Sequence, residues 1–258
     1  MPRAPSPRQS PAATPLTQGI ALIRLMVRSG YSLGVTQIAH ELGMPKSSTF
    51  RLLRSLVQLG FVQRIEQHKR YMLSADIFEF VHEIASHFGR NLKLDENLRR
   101  ASQRIGCSVY ICMLGRHETY VICGAGDEAN TTRLGQHGPA HSSSVGKVLI
   151  SQLPESEWMR YSPIGDNRQI TPYTNRDPTK FIARIREARK NGLAWNLRET
   201  DSNIVSLATT IREPFIPTPR LAVALVMRQE ALIHRDTKEL ETALKDLAAE
   251  LERELGRR

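Results

Sequence analysis

Residues 36–62 read TQIAHELGMPKSSTFRLLRSLVQLGFV, and the spacing of their apolar residues decides the fold of the N-terminal part of the chain. Ile38, Ala39 and Leu42 recur at helical spacing and predict a short helix from Val35 to Leu42. It stops at Gly43, a residue that readily takes the left-handed backbone of a sharp turn. Ser47 and Ser48 open a second helix that runs to Gly60, with Phe50, Leu53 and Val57, joined by Leu52 and Leu56, as its apolar stripe. Two helices joined by the tight turn Gly43-Met44-Pro45 are the signature of a helix-turn-helix, in which the second helix enters the major groove of DNA. The exposed side of that helix is expected to carry Lys46, Ser47, Ser48, Thr49, Arg51 and Arg54. Hydroxyls there bond phosphates or base edges, and arginine forks onto guanine. The alternative is a charged solvent face on a three-helix protein-binding module.

The flanks extend this reading. Downstream, Phe61–Arg64 and Arg70–Leu73 are strand-like runs around the polar turn Glu66-Gln67-His68, which predicts a hairpin, or wing. Its Arg64, Lys69 and Arg70 are placed to meet the DNA backbone or minor groove. Upstream, Ile20, Ile23 and Val27, with Leu22 and Met26, predict a first helix from Thr17 to Ser29-Gly30. Residues 1–16, with prolines at 2, 5, 7, 11 and 15, read as a disordered arm. Residues 76–90 form an amphipathic linker helix through Ile77, Phe78, Val81, Ile84 and Ala85, suited to linking two halves or to a dimer surface. Its His82 and His87 are five apart rather than four, so zinc chemistry is not expected.

Charge supports the assignment. Of the net +10, residues 1–75 hold ten basic side chains against only Glu41 and Glu66, a balance of +8, which leaves +2 for the other 183 residues. A basic segment of this kind fits a polyanion partner, because neutralised phosphates release condensed counterions. Cys107, Cys112 and Cys123 lie in apolar surroundings without C-x-x-C spacing, so they read as buried thiols of a reducing compartment. No apolar run approaches the length of a membrane span, and the N-terminal arginines precede no apolar signal core. The expectation is a cytoplasmic protein with no cofactor, no metal and no membrane partner.

From residue 91 onward helices alternate with strands. Helices are predicted at 94–105, from 143, at 178–190 and at 236–255, with strands at 107–113, 118–123, 193–197, 204–211 and 221–227. This suggests an α+β domain, an antiparallel sheet covered by helices. The chemically suggestive stretch is HSSSVGKVLI, residues 141–150, where a helix N-terminus presents free N–H groups to an anion. A phosphate loop fails because His141 and Val148 stand where glycine and Ser or Thr are required. Ser144-x-x-Lys147 has the spacing of serine-lysine acyl-transfer enzymes but lacks their S-D-N and K-T-G partners. Ordinary helix capping, ligand contact and a serine-lysine hydrolase remain as the three readings of this turn.

The ordered series QGIALIRLMV, the helix-turn-helix segment, RYML, HSSSVGKVLISQLPESEW, TPYTN, ARKNGLAWNLRETDSNIVSLATTI and LAVAL resembles the IclR (isocitrate lyase regulator) family over nearly everything from residue 17 onward. The resemblance implies a winged helix-turn-helix at 17–75, a linker helix at 76–90 and a GAF-like effector domain at 91–258. It further implies homodimers or dimers of dimers on a roughly palindromic operator in double-stranded DNA, and control by small organic acids or aromatic metabolites. In the family the acid group sits on the backbone amides that correspond to Ser144 and Val145. Other effector positions match Asn196, where the family is often acidic, Ser206, a cysteine in the founding member, and Val226 and Arg228, where it is small and polar. These departures argue against a glyoxylate-sized effector and for a different acid, with Arg228 or Arg133 as charge partner.

Overall fold

The structure, a computed structural model, describes residues 14–81, 83, 94–126, 135–163 and 169–256. The chain divides into two compact units, Met1–Ala85 and Ser86–Arg258.

In the first unit, helix α1 (Pro15–Ser29) begins two residues before the expected Thr17, because the Thr14 hydroxyl caps it by accepting from the Thr17 amide at 3.3 Å and Pro15 suits its first turn. The rest of the proposed arm, residues 1–13, lies outside the described residues. A two-residue strand β1 (Leu33–Gly34) leads into α2 (Val35–Glu41). Gly43, at φ 61°, then turns the chain, with its amide bonded to the His40 carbonyl and the Met44 amide to that of Ala39. α3 (Lys46–Gln58) follows, and β2 (Val62–Ile65) and β3 (Arg70–Leu73) pair antiparallel as the wing. β1 joins β3, giving the order β1-β3-β2. Leu22, Met26, Leu33, Ile38, Leu53, Leu56, Val62 and Tyr71 form one small core.

Two apolar stripes are rotated from the expected ones. On α1 the buried residues are Gly19, Leu22 and Met26, while Ile20 and Val27 are exposed. On α3 the inward line is Thr49, Leu53 and Leu56, and Phe50 and Val57 face outward. Thr49 is tolerated inside because its hydroxyl donates to the Pro45 carbonyl at 3.1 Å, so no polar atom is left without a partner. Residues 77–81 are helical, and Phe80 meets Phe61 edge to face at 5.4 Å. Phe78 and Val81 are exposed. His82 and the remainder of the expected linker helix, residues 84–90, lie outside the described residues, apart from Glu83.

The second unit is a six-stranded antiparallel sheet. It comprises β4 (Ser108–Leu114), β5 (Glu118–Ala125), β6 (His137–Pro139), β7 (Ala194–Leu197), β8 (Ile204–Ile211) and β9 (Leu221–Arg228), in the order β6-β5-β4-β9-β8-β7. Its helices are α4 (Leu94–Ile105), α5 (Ser144–Ser151), the short α6 (Glu155–Trp158), α7 (Pro178–Asn191), α8 (Gln229–Ile233) and α9 (Thr237–Leu255). β6, α6 and α8 are too short to have been predicted. Alternation along β9 sorts the two faces. Leu221, Val223, Leu225 and Met227 meet α4 and α9 through Leu98, Leu244 and Leu251. Ala222 and Ala224 face α5 and α7, packing with Val145, Val148, Leu149 and Ala188. The small alanines let α5 lie close to the sheet, and all eight of its residues are buried. Of the three thiols only Cys112 is buried; Cys107 and Cys123 are half-buried, a partial departure from the sequence reading.

The rotated α3 stripe generates a stability prediction. Leu53→Ala should cost about 2–5 kcal/mol, as expected for a fully buried leucine. Phe50→Ala, three positions earlier, should cost about 1 kcal/mol or less, because the ring stands largely outside the core. Urea unfolding of both variants checks the ordering, and a costlier Phe50→Ala would contradict it.

Candidate functional site

The exposed side of α3 carries Lys46, Ser47, Arg51 and Arg54, and the helix contains no acidic residue. Ser48 is half-buried and accepts from Arg51 Nη2 at 3.4 Å. Thr49 does not belong to this face, for the reason given above. On the wing Lys69 is exposed at φ 50°, and Arg64 lies 3.3 Å from Glu66 in a surface pair. Such a pair contributes little and leaves the guanidinium available. Arg70 has a partner within the protein. It is half-buried, and its guanidinium donates to the carbonyl and hydroxyl of Ser32, tying β3 to the chain just before β1. Phe50, expected inside, stands among the cations, one helical turn from Lys46 and from Arg54.

In the second unit a cleft of about 730 Å³ opens over the face of the sheet at the N-terminus of α5. Six of the seven candidates line it: Ser144, Val145, Asn196, Ser206, Val226 and Arg228. Arg133 lies outside the described residues. Sequence reasoning missed Tyr110, Cys112, Thr119 and Val121 on β4 and β5, His137 on β6, and Thr200, Asp201 and Asn203 on the β7–β8 connection. Their alternation gives only a half-buried strand face, and which face adjoins α5 depends on pairing between strands distant in sequence.

Ser143 caps α5, its hydroxyl accepting from the Gly146 amide at 2.9 Å. The amides of Ser144 and Val145 occupy the first two helical positions, where no acceptor exists within the helix. Gly146 is required by a close approach, since a Cβ there would fall 1.9 Å from the Ala140 carbonyl oxygen. The side chains at this end are already committed to one another. Ser144 Oγ and Ser206 Oγ are 2.7 Å apart, and Asn196 accepts from the Glu199 amide and donates to Thr200 Oγ1. Asn196 therefore shapes the β7–β8 connection while lining the cleft. Arg228, exposed at the rim, makes no ion pair among the described residues.

One turn into α5, Lys147 is buried and donates to Glu199 and, at 3.0 Å, to the Trp195 carbonyl. Burial lowers its pKa, Glu199 opposes that shift, and nearby Arg184, which also pairs with Glu199, adds to it. A serine-lysine hydrolase would need Lys147 to accept a proton from Ser144. Here the serine faces Ser206 and the ammonium faces Glu199, so the two do not form a nucleophile and its base. Cys112 is not a nucleophile either, because burial, and secondarily Cys123, pushes its thiol up to about 12. Among the described residues no group of three or more His, Cys, Asp or Glu is placed to hold a metal ion. A second cleft of about 810 Å³ lies against β7 between α7 and α9, where Trp195 Nε1 bonds Glu241 and Arg184 pairs with Glu199.

Two stability predictions follow from this geometry. Lys147→Met leaves Glu199 buried with one cation and should cost about 3–5 kcal/mol. The double variant Lys147→Met/Glu199→Gln should recover much of that loss in urea unfolding, and additive losses would contradict the pairing. Gly146→Ala should be destabilising by at least about 1–3 kcal/mol, as for an overpacked core. An unchanged urea midpoint in that variant would contradict the close approach.

Comparison with known proteins agrees with both halves. The IclR helix-turn-helix domain matches residues 15–66, and the bacterial transcriptional regulator IclR C-terminal domain matches residues 92–253. The chain is 29% identical over 254 residues to the glycerol operon regulatory protein of Streptomyces coelicolor, spanning 93% of this chain and 96% of that protein. It is 27% identical over 251 residues to the transcriptional repressor IclR of Escherichia coli, covering 88% and 89% of the two. Among solved structures, an IclR homologue of Microbacterium hydrocarbonoxydans complexed with 4-hydroxybenzoate superposes with a TM-score of 0.74 at 16% identity, covering 95% of this chain and 100% of that one. An IclR regulator of Alicyclobacillus acidocaldarius does so at 0.72 and 21% identity, covering 93% and 98%. The chain thus belongs to the IclR family of transcriptional regulators, as a ligand-responsive DNA-binding regulator.

Proposed function

We propose that this regulator recognises a specific DNA sequence through α3 and the wing, and that an anionic organic acid, aliphatic or aromatic, in the α5 cleft changes its affinity for that DNA. One observation carries the reading. The α5 N-terminus with its Ser144 and Val145 amides, the Ser144–Ser206 hydroxyl pair and the rim cation Arg228 converge on one cleft. Tyr110, Cys112, Val121, Ala224 and Val226 give the cleft an apolar part, which suits a ligand with a carbon skeleton behind its carboxylate. Its volume far exceeds a two-carbon acid and accommodates a ring. The neighbour that holds 4-hydroxybenzoate supports the same class. The effector domain is read as GAF-like, spanning residues 91–258, with 17–75 as the DNA-binding domain and 76–90 as the link between them.

A homodimer or dimer of dimers, working in the cytoplasm, would place two α3 helices about 34–36 Å apart on a roughly palindromic operator. No helix among the described residues is long and apolar enough to cross a membrane.

The test is binding of the full chain to the duplex upstream of its own gene across a salt series, followed by a melting screen of organic acids. Selective binding should weaken steeply with salt, and Arg51→Ala should lose about 1–3 kcal/mol of discrimination between sequences. The matching acid at about 100 times its Kd should stabilise the protein by roughly 2.7 kcal/mol, and Arg228→Ala should weaken that stabilisation. Binding indifferent to sequence would sink the DNA reading, and no stabilisation by any acid would sink the effector reading.

A further inference from the structure

Phe50 is a residue whose position the core does not explain. At 49% exposure it leaves about half its ring in water on a helix that has a buried line available to apolar side chains. Thr49 takes the inward place beside it. Lys46, Phe50 and Arg54 are spaced four residues apart and so lie along one side of α3, with exposed Ser47 and Arg51 alongside. Along α3 the ring is therefore accompanied by three cations and no acid, which makes a polyanion its fitting neighbour. Phe50 is the fifth residue of α3, within the N-terminal part of a recognition helix that approaches base edges.

Resting on the DNA-binding reading, we infer that Phe50 packs against the 5-methyl group of a thymine in the major groove and thereby specifies a T·A pair in the operator. The major-groove edges of guanine, adenine and cytosine present hydrogen-bonding donors and acceptors, and thymine alone adds an apolar group. A phenyl ring pressed onto cytosine in that position would strip water from the amino group and give it no acceptor, which is unfavourable. Against thymine the ring removes apolar surface of both partners from water. The flanking cations position the helix through phosphates and guanines, and Phe50 selects at the base pair they leave undecided.

The experiment replaces each thymine of the bound duplex singly with deoxyuridine, which removes only the 5-methyl group, and measures the affinity of the full chain. At one position per half-site the wild-type protein should lose about fourfold, the equivalent of about 0.8 kcal/mol for one buried methyl-sized group. Phe50→Ala should lose that dependence at that position alone, and Phe50→Leu should keep part of it. Urea unfolding confirms that the variants are folded. Selective binding with no methyl-dependent position, or a dependence that survives in Phe50→Ala, overturns this inference while leaving the DNA-binding reading intact. A Phe50→Ala protein whose sedimentation changes without DNA would place the ring in a contact between copies and overturn it as well. Loss of sequence-selective binding in the wild type would overturn both.

Discussion

An ammonium group with almost no contact with water must be answered by an anion, and in this protein that requirement organises the effector-side unit. Lys147 sits in a helix whose eight residues are all buried, so its charge is tolerable only with Glu199 and the Trp195 carbonyl against it. Glu199 is brought there by the β7–β8 connection, whose course is set by Asn196 through the Glu199 amide and Thr200 and by Thr171 and Thr174 bonding the Glu199 carbonyl. The same connection supplies Thr200, Asp201 and Asn203 to the cleft. The ion pair therefore fixes one wall of the α5 cleft against the helix N-terminus. Gly146 and the alanines of β9 do the complementary part by letting that helix lie close to Ala140 and the sheet.

The DNA-side unit faces the opposite problem, a small core under a surface rich in positive charge. Its two crossing helices are joined through Gly43 with two backbone bonds that leave little freedom in the turn. Thr49 and Arg70 both serve this frame, the first by bonding Pro45 within α3 and the second by fastening the wing to Ser32. What remains outward on α3 is a short list with distinct chemistries, hydroxyl, guanidinium, ammonium and one phenyl ring. A ligand in the second unit influences that surface only to the extent that it prefers one state of the protein over another.

Much of this was legible from the residues alone because strong local signals agreed. The strand-like runs of β8 and β9, the helix-turn-helix spacing and the capping serine of α5 each reflect interactions within a few residues, and the structure places them close to where the pattern does. The failures share a cause. On α3 the lines 50-53-57 and 49-53-56 both have helical spacing, and ranking by hydrophobicity chose phenylalanine where the fold chose a threonine able to bond its own backbone. The bond from Arg70 to Ser32 was missed because β1, two residues long, gave no signal, and β1 is what brings Ser32 to it. Glu199 and the β4–β5 lining of the cleft depend on pairings between distant segments, which local periodicity does not encode.

The central claim is that the cleft and α3 are two sites of one equilibrium, and linkage tests it most directly. The affinity for operator is measured with and without saturating acid, and the affinity for the acid with and without saturating operator. The account predicts a change by the same factor in both directions, because a coupling free energy between two sites is reciprocal. An acid that binds the cleft tightly and leaves the operator affinity unchanged would contradict it.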